Sequence, residues 1–185
     1  TYVIAGDGCL MEGISHEAIS LAGHLKLGKL IVLFDDNDIS IDGAVSLSCS
    51  DDQLKRFEAS GWNTLACDGH DMADTARAFK AATESNLPVF IACKTIIGYG
   101  APNVQGTSAT HGAALGAAEV AAARKHLGWD EPPFVVPADV KSAWDARERG
   151  AAAEADWKAR FAAYAKQHPE LAAELDRRAH GKLPA

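Results

Sequence analysis

The sequence predicts an α/β fold, a parallel sheet flanked by helices and followed by a helical tail. Three observations carry that expectation. Short apolar runs of strand length alternate with amphipathic stretches of helical length from residue 1 to about 94, the pattern of βα units feeding a parallel sheet. Two of those runs end in polar turns, Gly6-Asp7-Gly8 and Asp35-Asp36-Asn37. Beyond Gly116 the composition becomes rich in alanine, which favours helix.

Taken in order, residues 2–5 form the first strand candidate and residues 12–24 the helix that follows. The run 29–34 is the second strand, completing a βαβ unit. Residues 51–60 read as helix, 62–67 as strand, 73–84 as helix and 88–94 as strand, with Pro88 acceptable at a strand start. A glycine-bearing loop over 98–116 then interrupts the rhythm. A loop of that length without structure of its own is usually functional or disordered. Helix resumes after Gly116, breaks at 128–133 and near Pro137, and ends in one long helix over about 151–180. Trp157, Phe161 and Tyr164 recur on that helix at spacings of four and three, a packing stripe for a neighbouring domain. The expected organisation is a sheet domain over 1–127 and a helical extension over 128–185.

Of the 185 residues, 48% are hydrophobic and 23% charged, enough for a sizeable core. The formal net charge is -7 with no basic patch, which argues against nucleic acid as a partner. No apolar run reaches the roughly 20 residues needed to span a bilayer, so no membrane role is expected. Cys9, Cys49, Cys67 and Cys93 show no CxxC spacing; they read as reduced, mostly buried thiols and point to the cytoplasm. The chain opens without Met on a strand-like run ending in Gly6-Asp7-Gly8, and the expectation is a piece of a longer polypeptide.

The chemistry lies in the two strand-end turns. A single crossover brings both to one sheet edge, where open α/β sheets bind ligands. Asp7 and Asn37 would face each other there. A carboxylate and a carboxamide oxygen are hard ligands suited to Mg²⁺ or Ca²⁺, and Mg²⁺ takes much of its shell from phosphate and water. Gly8 lets the backbone approach a diphosphate closely. Either turn alone is an ordinary strand end or helix cap; their joint placement points to a shared ligand. His111, in the glycine-bearing loop, can donate to an anionic oxygen or move a proton near neutral pH. Glu12 and His16 fall one turn apart on the expected 12–24 helix, which by itself makes a surface pair.

Together these segments resemble a known family. Gly6-Asp7-Gly8 with Asp36-Asn37 is similar to the thiamine-diphosphate binding motif. The longer stretches Cys9-Leu10-Met11-Glu12-Gly13-Ile14-Ser15-His16-Glu17, Leu25-Lys26-Leu27-Gly28-Lys29-Leu30 and Asp38-Ile39-Ser40-Ile41-Asp42-Gly43 resemble transketolases. So do Cys93-Lys94-Thr95-Ile96-Ile97-Gly98-Tyr99-Gly100 and His111-Gly112-Ala113-Ala114-Leu115-Gly116. The resemblance implies an incomplete thiamine-diphosphate-binding fold and transfer of a two-carbon ketol unit from a ketose phosphate to an aldose phosphate. It implies thiamine diphosphate with Mg²⁺, Ca²⁺ or another divalent cation as cofactors. Asp7, Asn37 and the main-chain carbonyl of Ile39 would be the metal ligands. Gly8, Asn37, Ile97 and His111 would meet the cofactor, and His111 would also be the catalytic and substrate-contacting residue.

The same resemblance implies a homodimer, with Glu12 at the subunit contact, and a pyrimidine-binding domain outside this chain. A glutamate of that domain, contributed by the partner subunit, activates the cofactor in the family. Residues 1–185 alone are therefore expected not to turn over substrate. Ser108 and Ala114 depart from the family pattern, where a histidine and a proline are usual, and bear on substrate preference more than on the metal site. An alternative is a non-catalytic cofactor-binding subunit of a split enzyme completed by a companion chain. A nicotinamide-binding Rossmann domain fits less well, because Gly6, Gly8 and Gly13 lack GxGxxG spacing.

Overall fold

The computed structural model describes residues 1–184. Four strands, β1 (Tyr2–Gly6), β2 (Ile31–Asp36), β5 (Asn63–Asp68) and β6 (Val89–Lys94), form one sheet in the order β1-β2-β6-β5, all parallel. Helices flank it, as the alternation predicts. The strand β6 lies between two neighbours and is covered on both faces, which is why it reads as the unbroken apolar run Val89-Phe90-Ile91-Ala92. Val89 and Phe90 expose no surface.

The pleat sorts the core into two layers. On one face Val32, Phe34, Phe90 and Ala92 pack with Leu10, Ile19, Ala22, Phe57 and Trp62, which come from α1 (Asp7–Met11), α2 (Gly13–His24), α3 (Gln53–Ala59) and the residue just before β5. Phe90 stacks on Phe57 with centroids 3.8 Å apart and on Phe34 at 5.7 Å. The Trp62 indole N–H donates to the Ile19 carbonyl at 2.9 Å, so its one polar atom is satisfied inside the core. On the other face Ile31, Cys67, Val89 and Ile91 pack with Ala78 and Ala82 of α4 (Met72–Thr83). Asp52 and Asp71 cap α3 and α4 by accepting backbone N–H groups of the first turn.

Contacts divide the chain into a unit over Thr1–Asp130 and a second that begins at Glu131. The first unit also holds α5 (Gly116–Leu127). The second consists of α6 (Ala138–Trp144), α7 (Arg147–Gln167) and α8 (Pro169–Ala179). Along α7 the rings of Trp157 and Phe161 stack at 5.1 Å. No helix of the described residues is long and apolar enough to cross a membrane.

Four expectations are corrected. The helix expected over 12–24 forms as α2 from Gly13, but a separate short helix, α1, precedes it, and Glu12 adopts extended backbone (φ -63°, ψ 139°) between the two. The Ser15 hydroxyl spans that break by donating to the Cys9 carbonyl at 2.6 Å. Glu12 therefore lies outside the helix that carries His16, and the same-face pairing does not form. The long terminal helix breaks at His168, since Pro169 pushes the residue before it out of helical backbone and serves as the first residue of α8. A short antiparallel hairpin, β3 (Ile39–Ser40) with β4 (Gly43–Ala44), follows β2; two-residue strands leave no periodic signal. Finally, of the four cysteines only Cys67 is buried, while Cys49 and Cys93 are half-buried and Cys9 is exposed. The short helix α1 turns Asp7 and Leu10 inward, which leaves Cys9 outside.

Phe90 stacks on two aromatic rings, Phe34 and Phe57, across the larger core layer. Phe90→Ala should cost about 3–5 kcal/mol of unfolding free energy, measured by urea denaturation of the two proteins under the same conditions.

Candidate functional site

The register of β1 on β2 pairs Gly6 with Asp35, so the chain leaves both strands at the same level. Asp7 opens α1 immediately after β1, and Asn37 follows the last residue of β2. Here a cleft of about 680 Å³ opens, and its wall includes Asp7, Gly8, Asn37, Ile39, Ile97 and His111. Every site residue expected from the sequence thus borders one cavity within the first unit.

Local folding explains each position. The Asn37 side-chain oxygen accepts the Ile39 N–H at 3.0 Å, a turn closed around Asp38, whose φ of 62° lies in the left-handed region that Asp and Asn tolerate. This turn starts the hairpin and places Ile39 in the cleft wall. The other end of the amide is fixed as well, since Asn37 Nδ2 donates to Asp35 at 3.1 Å. Asp35 in turn accepts the Thr95 hydroxyl from the residue after β6. Ile97 and His111 come from the loop after β6. Gly98 has a φ of 65°, and a Cβ there would lie 2.6 Å from the Thr110 side chain, so only glycine permits the close return that sets the turn Ser108–Thr110 and His111 beside the cleft. The loop has its own bonds: Gly106 N–H donates to the Ile97 carbonyl at 2.8 Å, and Asn103 is held by the Glu119 carboxylate at 2.7 Å and 2.9 Å. His111 itself is solvent-exposed.

The electrostatics centre on Asp7, the one charged residue in the core of the described structure. Its Oδ2 is buried without a hydrogen-bond partner. Burial first, then the nearby carboxylates of Asp36 and Asp38, and after them Asp35, raise its pKa from the ordinary carboxylate value to about 6. Lys94 does not relieve Asp7; it pairs with Asp38 and, at 3.5 Å, with Asp36. A buried acid with one orphaned oxygen beside three other acids is a costly arrangement unless positive charge enters the cleft. A divalent cation held by Asp7 and the Asn37 oxygen fits this donor set. Among the described residues no three His, Cys, Asp or Glu side chains converge as a metal cluster. A cation here would draw the rest of its shell from backbone, water and an anionic ligand. At Gly8 a Cβ would meet nothing within 4 Å, so the space over that backbone is open to such a ligand.

Asp35 and Thr95 are the parts the motif reading missed. Asp35 stands in the polar turn Asp35-Asp36-Asn37, but its bond to Thr95 crosses from β2 to the end of β6, and only the strand register reveals it.

The chain matches the family model described as transketolase, thiamine diphosphate binding domain, over residues 1–184. It is 59% identical over 186 aligned positions to the chromosomal transketolase of Cupriavidus necator and 59% identical to transketolase 1 of Aliivibrio fischeri. Each alignment covers 100% of this chain and 28% of the relative, so the chain spans less than a third of their length. Among solved structures, the transketolase from Leishmania mexicana superposes with a TM-score of 0.92 at 36% identity. The Pichia stipitis transketolase in complex with sedoheptulose-7-phosphate gives 0.91 at 42%. Both cover 100% of this chain and 28% of the other.

The raised pKa of Asp7 predicts a pH signature without any ligand. An acid whose folded pKa exceeds its unfolded value stabilises the fold when protonated and loses that contribution as pH rises through the folded value. Stability of the unligated protein should therefore fall between about pH 4 and pH 6 relative to Asp7→Asn, which lacks the titrating group. Denaturant titrations of both proteins at matched pH values give this difference directly.

Proposed function

The chain belongs to the transketolase family through its thiamine-diphosphate-binding domain, and from that premise we propose that it supplies the cation and diphosphate half-site of a transketolase. The observation that carries the proposal is the orphaned carboxylate of Asp7 in the same cleft wall as Asn37, Ile39 and Gly8. In this reading Asp7, the Asn37 side-chain oxygen and the Ile39 main-chain carbonyl hold Mg²⁺ or Ca²⁺. Gly8 and Asn37 meet the diphosphate, and Ile97 packs beside the cofactor. When bound, thiamine diphosphate supplies the electron sink for breaking and re-forming the carbon–carbon bond next to a ketone.

The protein's own groups bind, orient and move protons. Asp35 and Thr95 hold the Asn37 amide so that its oxygen stays on the cleft side of the turn. His111, exposed at the rim, donates to an anionic oxygen of the cofactor or substrate and can exchange a proton there. The reaction is transfer of a two-carbon ketol unit from a ketose phosphate to an aldose phosphate. The segment from 128 onward leads toward the pyrimidine-binding domain, and the assembly is a homodimer in which Glu12, exposed at the junction of α1 and α2, lies at the contact. Four free thiols suit a reducing cytoplasm.

Titration calorimetry with thiamine diphosphate, with and without Mg²⁺, tests the half-site. Asp7→Ala should abolish the cation-dependent part of binding or weaken it by at least about 100-fold, while the circular dichroism stays that of the parent. Gly8→Ala should weaken diphosphate binding with little effect on unfolding, because its new methyl meets only open space. Equal affinity in all three proteins would remove the proposal.

A further inference from the structure

Cys67 and Cys93 are direct register partners on the parallel strands β5 and β6. Their sulfurs lie 3.7 Å apart on the sheet face that packs against α4. Neighbouring strands run about 4.8 Å apart, inside the range of about 4.4–6.8 Å between Cα atoms that a disulfide bridges. Forming the bond would draw the sulfurs together by about 1.7 Å, within side-chain rotation and small strand adjustments.

We propose that Cys67 and Cys93 form a reversible modification site, a cross-strand dithiol that closes to a disulfide when hydrogen peroxide reaches it. One sulfur, as thiolate, attacks a peroxide oxygen; the O–O bond breaks, leaving a sulfenic acid and one water. The second sulfur, as thiolate, attacks the first, the S–S bond forms, and hydroxide leaves and takes up a proton as the second water. Two thiols thus lose two electrons and two protons, and the peroxide is reduced to two waters. Burial first, and then the neighbouring Cys67 thiol, push the Cys93 thiol up to about 12, so the partner sulfur 3.7 Å away, and not a ready thiolate, is what favours oxidation here. Proximity, and not exposure, selects this pair: Cys9 is the exposed thiol, yet it has no registered partner strand. Half-buried Cys93 gives a small oxidant its entry.

The test treats the reduced, purified protein with a modest excess of hydrogen peroxide, then alkylates it under denaturing conditions and maps the peptides. Two of the four thiols should be lost together, in a linked peptide pair carrying Cys67 and Cys93 that is lighter by two hydrogens. Dithiothreitol should restore both. Cys67→Ala and Cys93→Ser should each yield no intramolecular link. Peroxide treatment that oxidises Cys9 while Cys67 and Cys93 remain alkylatable would overturn the proposal, as would an irreversible sulfinate at either position or a link between any other pair. The map of the unmutated protein decides the question even if a variant folds poorly.

Discussion

A buried carboxylate with one oxygen that nothing in the protein satisfies is the constraint from which the rest of the cleft follows. Asp7 sits at the turn from β1 into α1, its Oδ2 without a donor and three other acids nearby. A protein optimised only for stability would place an apolar residue or a donor there, since an unpaired buried acid costs more than either. The cost would become useful if a cation bound there, because the same carboxylate would then carry the attraction.

The sheet makes that attraction specific. Strand register sets Gly6 beside Asp35 and Asp35 beside Cys93, so one rung links the turn after β1 with the orienting acid of β2 and the central strand. Asp35 fixes the Asn37 amide from one end and the Ile39 N–H fixes it from the other. Side chains locked in this way lose little freedom when a ligand arrives, which preserves binding free energy. Lys94 has a complementary part: by pairing with Asp36 and Asp38 it holds two of the surrounding acids without neutralising Asp7.

Much of this was legible in the residues alone. The apolar runs predicted all four strands of the main sheet to within a residue or two, because parallel strands covered by helices show uninterrupted hydrophobicity. The acidic and amide turns were visible because each closes such a run. What escaped was either too short or too distant in sequence. The β3–β4 hairpin has two residues per strand, and the break at Glu12 depends on Ser15 reaching back to Cys9, a contact without periodicity. The Asp35–Thr95 bond and the Cys67–Cys93 pair join positions far apart in the chain and exist only through register. Pro169 was a readable breaker that the alanine-rich composition around it outweighed.

The central claim is that Asp7 waits partly protonated for a cation, and proton release on binding tests it most directly. Calorimetric titration of Mg²⁺ and thiamine diphosphate at pH 6 in buffers of different ionisation enthalpy counts the protons exchanged. The account predicts release of about half a proton in excess of that seen with Asp7→Asn, shrinking toward zero by pH 8. Tight cation-dependent binding at pH 6 with no proton released beyond the ligand's own would contradict it.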